Sequence, residues 1–233
     1  MKQKETSWNS QLNKKVLEET AEAEGDAHVI HHMNTPLRAD AFELSDESKM
    51  EMIEDHFRQI MLILGLDLTD DSLKGTPHRV AKMYVKEIFS GLNPANAPST
   101  KLFENKYKYE EMLIEKDITL YSYCEHHFVP IIGKAHVAYI SNGHVIGLSK
   151  INRLVQYYAK RPQVQERLTV QITEALKKAL NTDDVAVIIE ADHLCVASRG
   201  VKDTSSSTIT AHYSGQFKNE AKKQEFLNLL QSK

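Results

Sequence analysis

The sequence predicts an α+β fold: N-terminal helices, then an antiparallel sheet that carries a helix pair. Three observations predict it. Apolar residues first recur at helical spacing, from Met50 to Leu64, and only near Asp117 change to the alternation of strands. The later elements come as strand pair, helix pair, strand pair, without the regular strand–helix alternation of a parallel sheet. Asn142-Gly143, between two strand-like runs, has the turn chemistry that joins antiparallel neighbours.

Residues 1–45 carry no sustained hydrophobic period and are expected to form a variable, mobile arm, with at most a short helix near Val16. His28, His31 and His32 read there as solvated side chains, because no ligand of another type stands nearby at a recognised spacing. Residues 46–110 read as a helical region. Ser45 or Asp46 caps a helix with Met50, Ile53, Phe57, Ile60, Met61 and Leu64 on one face, and Gly65 stops it. Thr76-Pro77 opens a second helix running to about Phe89, since proline fits a first helical turn. Gly91, Pro94 and Pro98 end that stretch.

Residues 111–233 read as the sheet domain. Strands are expected over Asp117–Tyr123 and Phe128–Ile140, and the Asn142-Gly143 turn sends the chain back through His144–Leu148. One helix buries Ile151, Leu154, Val155 and Tyr158. The next, after Pro162, buries Val164, Leu168, Ile172, Ala175, Leu176 and Ala179. Strands over Val185–Val196 and Thr208–Phe217 follow, and a short helix with Phe226, Leu227 and Leu230 closes the chain.

Bulk properties exclude several classes. With 233 residues, 41% of them hydrophobic, the chain can bury a core and is not globally disordered. A net charge of -3 offers no basic excess for a nucleic-acid backbone, so phosphate must be held by local clusters. No apolar run approaches a membrane span, and no signal-peptide layout opens the sequence, so the expected compartment is the cytoplasm. In a reducing compartment the 2 cysteines, Cys124 and Cys195, read as metal ligands rather than as a disulfide.

The metal reading rests on Cys124-Glu125-His126-His127 and His193-Leu194-Cys195. A tight turn lets Cys124 and His127 grip one ion. Residues two apart on a strand share a face, so His193 and Cys195 are expected to look into one cavity. Cys124, His127 and Cys195 form a soft Cys₂His set that suits zinc and leaves a fourth position for water, as in catalytic sites. His126 and His193 then remain as proton carriers. The same spacing serves a closed structural zinc site with His126 or His193 as fourth ligand, or plain buried cysteines.

An anion site is expected where Gly147-Leu148-Ser149-Lys150-Ile151-Asn152-Arg153 enters a helix. Ser149 caps that start, and Lys150 and Arg153 flank its free N–H groups. Arg79 and Lys82 repeat the spacing on the earlier helix, and Arg199 follows the second cysteine. Together these cations match a triphosphate, although each taken alone also fits a solvated surface charge. Glu166, in the first turn after Pro162, either stabilises the helix dipole or accepts from two adjacent donors such as the N1–H and 2-amino group of guanine.

These strings, with Arg161-Pro162-Gln163-Val164-Gln165-Glu166-Arg167-Leu168 and Thr76-Pro77-His78-Arg79-Val80-Ala81-Lys82-Met83-Tyr84, resemble the GTP cyclohydrolase I family from about Ser45 to the C-terminus. The resemblance implies a zinc enzyme that opens the GTP imidazole ring at C8, releases formate and rebuilds the remainder into 7,8-dihydroneopterin triphosphate. It implies Cys124, His127 and Cys195 as zinc ligands, and His126 and His193 as proton carriers. Gln165 and Glu166 would hold the guanine. Ser149, Lys150, Arg153 and Arg199 would hold ribose and triphosphate, with Arg79 and Lys82 delivered from a neighbouring subunit. The implied architecture is a tunnelling fold in which subunits close a β-barrel and pair into a homodecamer with active sites between subunits. Two other readings remain open on the residues: another zinc amidohydrolase acting on a purine or pterin, and a non-enzymatic nucleotide-binding module with structural zinc. The His-x-Glu and Pro-Cys-x-x-Cys pattern of zinc deaminases is absent.

Overall fold

The structure, a computed structural model, describes residues 33–99 and 101–232. The histidines His28, His31 and His32 and the expected helix near Val16 lie outside the described residues. Of the segment assigned to the arm, residues 33–45 are described. The Met33 carbonyl accepts a hydrogen bond from Gln171, and Pro36, Leu37 and Phe42 line a cavity against the first helix.

Helix α1 (Asp46–Ile63) begins where Ser45 accepts from the Ser48 N–H, and it stops before Gly65, whose φ of 79° suits glycine. Helix α2 (Thr76–Lys82) carries Pro77 in its first turn and packs on α1. The expected helix to Phe89 is present, but Met83–Ile88 winds as a π-helix. That rewinding shifts Tyr84 and Phe89 into an aromatic cluster with Tyr123 and Phe128.

The main sheet has the order β5-β2-β3-β6-β7. It is built from β2 (Met112–Cys124), β3 (Pro130–Ile140), β5 (Pro162–Gln163), β6 (Val185–His193) and β7 (Thr208–Tyr213). All pairings are antiparallel except the short parallel contact of β5 with the end of β2. A bulge interrupts β2 between Glu115 and Ile118, with Asp117 at a φ of 60°. The Asn142-Gly143 turn occurs, but its expected hairpin does not. Strand β4 (His144–Ile146) leaves the sheet and pairs with β1 (Leu102–Glu104), so the turn redirects the chain instead of extending β3's partner.

The period of two is readable in the packing. On β6, Val185, Val187, Ile189 and Ala191 face a core shared with α3 (Leu148–Ala159) and α4 (Gln165–Leu180). Ala186 and Ile188 face the opposite side and pack with Phe217 and Phe226, the latter from the closing helix α6 (Glu220–Gln231). Each fully buried large aliphatic side chain contributes about 1.5–3 kcal/mol, so both faces of the central strands are anchored. The sheet's margins differ. Strand β7 has a partner on one side, and β2 meets β5 only at Tyr123 and Cys124, so two open edges remain among the described residues.

Candidate active site

The end of β2 supplies the first half of the site. Cys124 is buried, and its N–H donates to the Val129 carbonyl while its carbonyl accepts from Phe128. The loop between β2 and β3 is therefore tight, and Phe128 closes it at a φ of 53°. A bulky residue pays strain there. Edge-to-face contacts with Phe89, centroids 5.0 Å apart, and with Tyr84 at 6.4 Å hold it in place. Parallel pairing of Cys124 with Gln163 sets the start of α4 beside this loop.

The second half departs from expectation. Strand β6 ends at His193, and Cys195 lies in a single helical turn, α5 (Leu194–Ala197), that packs on β3. The shared-strand-face argument for His193 and Cys195 therefore fails. The chain turns immediately after His193, which swings Cys195 toward Cys124 while His193 points elsewhere. The cysteines still converge: ligand atoms of Cys124, His127 and Cys195 all lie within 4.8 Å of one another. Cys124 Sγ and His127 Nδ1 are 3.9 Å apart, close to the edge of roughly 3.3–3.8 Å of a tetrahedron with bonds of about 2.0–2.3 Å. Neither cysteine is in a disulfide. Burial pushes the Cys195 thiol up, and the adjacent Cys124 thiol pushes it further in the same direction. Two thiolates crowded in this way need a cation between them, so the donor set fits a soft divalent metal.

Neither candidate for a fourth ligand joins that set. His126 Nδ1 is 3.6 Å from Cys124 Sγ, yet His126 is outside the group with mutual 4.8 Å spacing. His193 directs Nε2 at Gln165 Oε1, 2.8 Å away. Burial pushes the His193 ring toward its neutral form, while Glu166 and Asp192 pull the other way. Glu166 itself is exposed in the first turn of α4, close enough to be felt by that ring.

Other expected residues are placed differently. Gln165, expected at a guanine, is buried with its amide bonded to protein on both ends. Ser149 does not cap α3: Gly147 takes the N-cap position, and Ser149 stands exposed within the first turn. Lys150 reaches Ser99 Oγ at 3.2 Å. Arg153 lines a cavity of about 530 Å³ with Lys86 and Lys160. Arg79 donates to the Ser72 carbonyl and to Thr76 Oγ1 within its own segment, and Lys82 is exposed on the same helix. Arg199 donates to His127 Nε2 at 2.9 Å, which leaves Nδ1 as the nitrogen facing Cys124. Among the described residues, no hydrogen bond or ion pair links Ser149, Lys150, Arg153, Arg79 or Lys82 to the three clustered ligands.

One functional group of residues escaped the sequence reading. Arg167, on α4 and only 5% exposed in its side chain, pairs with Glu125 in the Cys124–His127 loop. Its Nε donates to Gln163 Oε1, and Gln163 Nε2 donates to Gln171 Oε1 and to the Tyr158 carbonyl. This network ties the Cys124–His127 loop to the helix that bears Gln165 and Glu166. A signal was present: 163, 167 and 171 are polar positions four apart, running directly beside the apolar stripe 164, 168 and 172.

Comparison with known proteins bears on this arrangement. A model of the family described as GTP cyclohydrolase I matches residues 53–231. A protein named GTP cyclohydrolase 1 from Flavobacterium johnsoniae is 62% identical over 206 residues, covering 88% of this chain and 92% of that one. A protein of the same name from Salmonella gallinarum is 56% identical over 203 residues, covering 87% and 91%. A solved structure of the archaeosine synthase QueF-Like in the apo form overlaps 46% of this chain at 21% identity with a TM-score of 0.40, too loose a likeness to argue from.

Proposed function

The chain belongs to the GTP cyclohydrolase I family and is an enzyme of that kind, and we propose how its own residues perform the reaction on GTP. The observation that carries the proposal is the convergence of Cys124, His127 and Cys195 within 4.8 Å, with His126 and His193 close by and outside the set. Three donors with a position left over suit a catalytic rather than a closed structural ion, and their softness favours zinc. When bound, zinc supplies Lewis acidity and a water acidified to a pKa of about 7.

The protein's part is recognition, orientation and proton traffic. Glu166 is exposed beside His193 and accepts from the N1–H and 2-amino group of guanine; adenine has no such donor pair. His193 gives a proton to N7 as the imidazole ring opens to a formamide. A second hydrolysis releases C8 as formate. His126 acts at the ribose ring oxygen as the sugar opens to a ketose. The freed amine then closes the pyrazine ring with return of one water, giving 7,8-dihydroneopterin triphosphate. Ser149, Lys150, Arg153 and Arg199 hold the ribose and phosphates, and Arg79 and Lys82 reach them from a neighbouring subunit. Two findings favour such sharing: among the described residues, the cations of α2 and α3 lack links to Cys124, His127 and Cys195, and the sheet has two open edges for neighbours to pair with. Closing those edges between subunits yields the barrel of a tunnelling fold and a homo-oligomer, proposed as a decamer.

The test is to incubate the purified protein with GTP and zinc and to assay formate together with the fluorescent oxidised pterin. Both products in equal amounts are expected. Ammonia without formate would indicate a deaminase, and tight binding without turnover would indicate a binding module.

A further inference from the structure

Gln165 is 1% exposed, and its amide is held from several sides. Its Nε2 lies 3.1 Å from the Ile189 carbonyl oxygen, 2.9 Å from the Thr208 carbonyl oxygen and 3.2 Å from Thr210 Oγ1. Carbonyl oxygens only accept, so the amino end of the amide faces them and the amide cannot be flipped. The hydroxyls agree. Thr169 Oγ1 donates to the Gln165 backbone carbonyl at 2.8 Å, so it accepts the Thr210 proton across 2.6 Å and leaves a Thr210 lone pair toward the amide. The other end of the side chain, Oε1, sits 2.8 Å from His193 Nε2. An amide oxygen has no proton to give, so the ring nitrogen must donate.

We infer that Gln165 is a positioning residue that fixes the tautomer of His193, keeping hydrogen on Nε2 and leaving Nδ1 as the nitrogen that exchanges a proton with the substrate. The argument holds in either charge state, since Nε2 carries hydrogen in the neutral ring and in the imidazolium. It also divides the first turn of α4: Gln165 faces inward to aim the histidine, while Glu166 faces outward to the base. This replaces the expectation that the Gln165 side chain meets guanine. The functional half of the inference rests on the reading of His193 as the proton carrier; the tautomer does not.

The experiment has two arms. In the first, the assembled, zinc-loaded protein carries ¹⁵N-histidine, and solid-state spectra are recorded above pH 8, where the ring is neutral; His193→Asn identifies the resonances. Hydrogen on Nε2 with a bare Nδ1 is expected, and the opposite tautomer overturns the inference. The second arm compares Gln165→Met with Gln165→Glu. The methionine should lower kcat about 10-fold to 100-fold, as losses of histidine-orienting partners typically do, with KM for GTP, the preference for GTP over ATP and zinc content unchanged. Glutamate, which keeps an acceptor for Nε2–H, should recover part of kcat. A raised KM or a relaxed base preference with kcat preserved would return Gln165 to the guanine and overturn the inference. Should Gln165→Met fail to fold, the spectra of the unsubstituted protein still decide. If His193→Ala makes the formamide at the normal rate, the proton-carrier reading fails together with the functional half, and the tautomer result shows which half was lost.

Discussion

The proposed metal half and the proposed anion half of the site are built in opposite ways. Cys124 and His127 lie in the loop after β2, which Arg167, Gln163 and Glu125 tie to α4, and Cys195 lies in the helical turn after β6. Lys150 reaches Ser99, Arg79 bonds within its own segment, Arg153 lines a separate cavity, and Lys82 stands exposed. The metal half is preorganised by one chain's own core. Among the described residues, the proposed anion-half cations share no common partner. Long cationic side chains on exposed turns gain little from fixed partners in water, so nothing local selects their functional pose.

The largest expected effect is at the metal half. Cys195→Ser should lose the metal and bring turnover to background while the chain still folds, because Cys195 is only partly buried at the margin of the core and serine is close to it in size. Metal analysis and circular dichroism check this; near-normal formate release after chelation would contradict it. Next come the two histidines, which divide by step. His193→Ala should stop the first hydrolysis, and His126→Ala should accumulate the ring-opened formamide with little pterin, each at a cost of about 10²–10⁴-fold. Mass spectrometry of the GTP-derived species separates the two outcomes.

Arg167→Ala tests whether the network accounts for the difference between the halves. Removing a buried guanidinium strands Glu125 and Gln163 and should cost about 3 kcal/mol, toward the low end for a broken buried pair because Glu125 is 26% exposed. A urea midpoint within error of the parent's would show that the network does not hold the loop. The matching change in the anion half, Lys150→Ala, should leave that midpoint almost unmoved.

Much of this contrast was legible in the sequence. The pairing of Cys124 with His127, the helix stripes and the strands were readable because a local pattern determines each: short spacing, a period of 3.6, a period of two. The misreadings share a cause, which is that long-range packing overrode local preference. Cys195 follows a strand pattern but lies in a helical turn, because the chain must bend after His193 to pass over β3. Ser149 is a good capping residue, yet the extended backbone of Gly147 starts the helix earlier. The burial of Gln165 against the β6 and β7 carbonyls likewise depends on contacts far along the chain. The polar row 163, 167 and 171 was readable, but not its tie to Glu125, which lies 42 positions away along the chain.

The smallest expected effect lies in the scaffold, away from both halves. His136 accepts from the Asp117 N–H at the β2 bulge, and burial holds its pKa below the ordinary 6.5, against the pull of Asp117 and Glu190 and with minor help from Lys134 and Lys116. The unfolded chain therefore binds this proton first. The contribution of His136 is present above pH 6.5 and is lost as pH falls through the lowered folded value. His136→Gln should narrow the gap between urea midpoints measured at pH 7.5 and pH 5.5. An unchanged gap would remove His136 from the acid sensitivity of the sheet.

The central proposal, that Arg79 reaches a site whose metal ligands belong to a neighbouring subunit, has a direct test by complementation. Arg79→Ala and Cys124→Ala, each inactive alone, are refolded together in equal amounts and mixed oligomers are verified by native mass spectrometry. Random mixing across a shared interface gives about a quarter of the sites both intact residues, so about that fraction of formate release is predicted. Verified mixed oligomers that stay inactive would contradict the account, because each chain would then have to carry Arg79 and Cys124 for its own site.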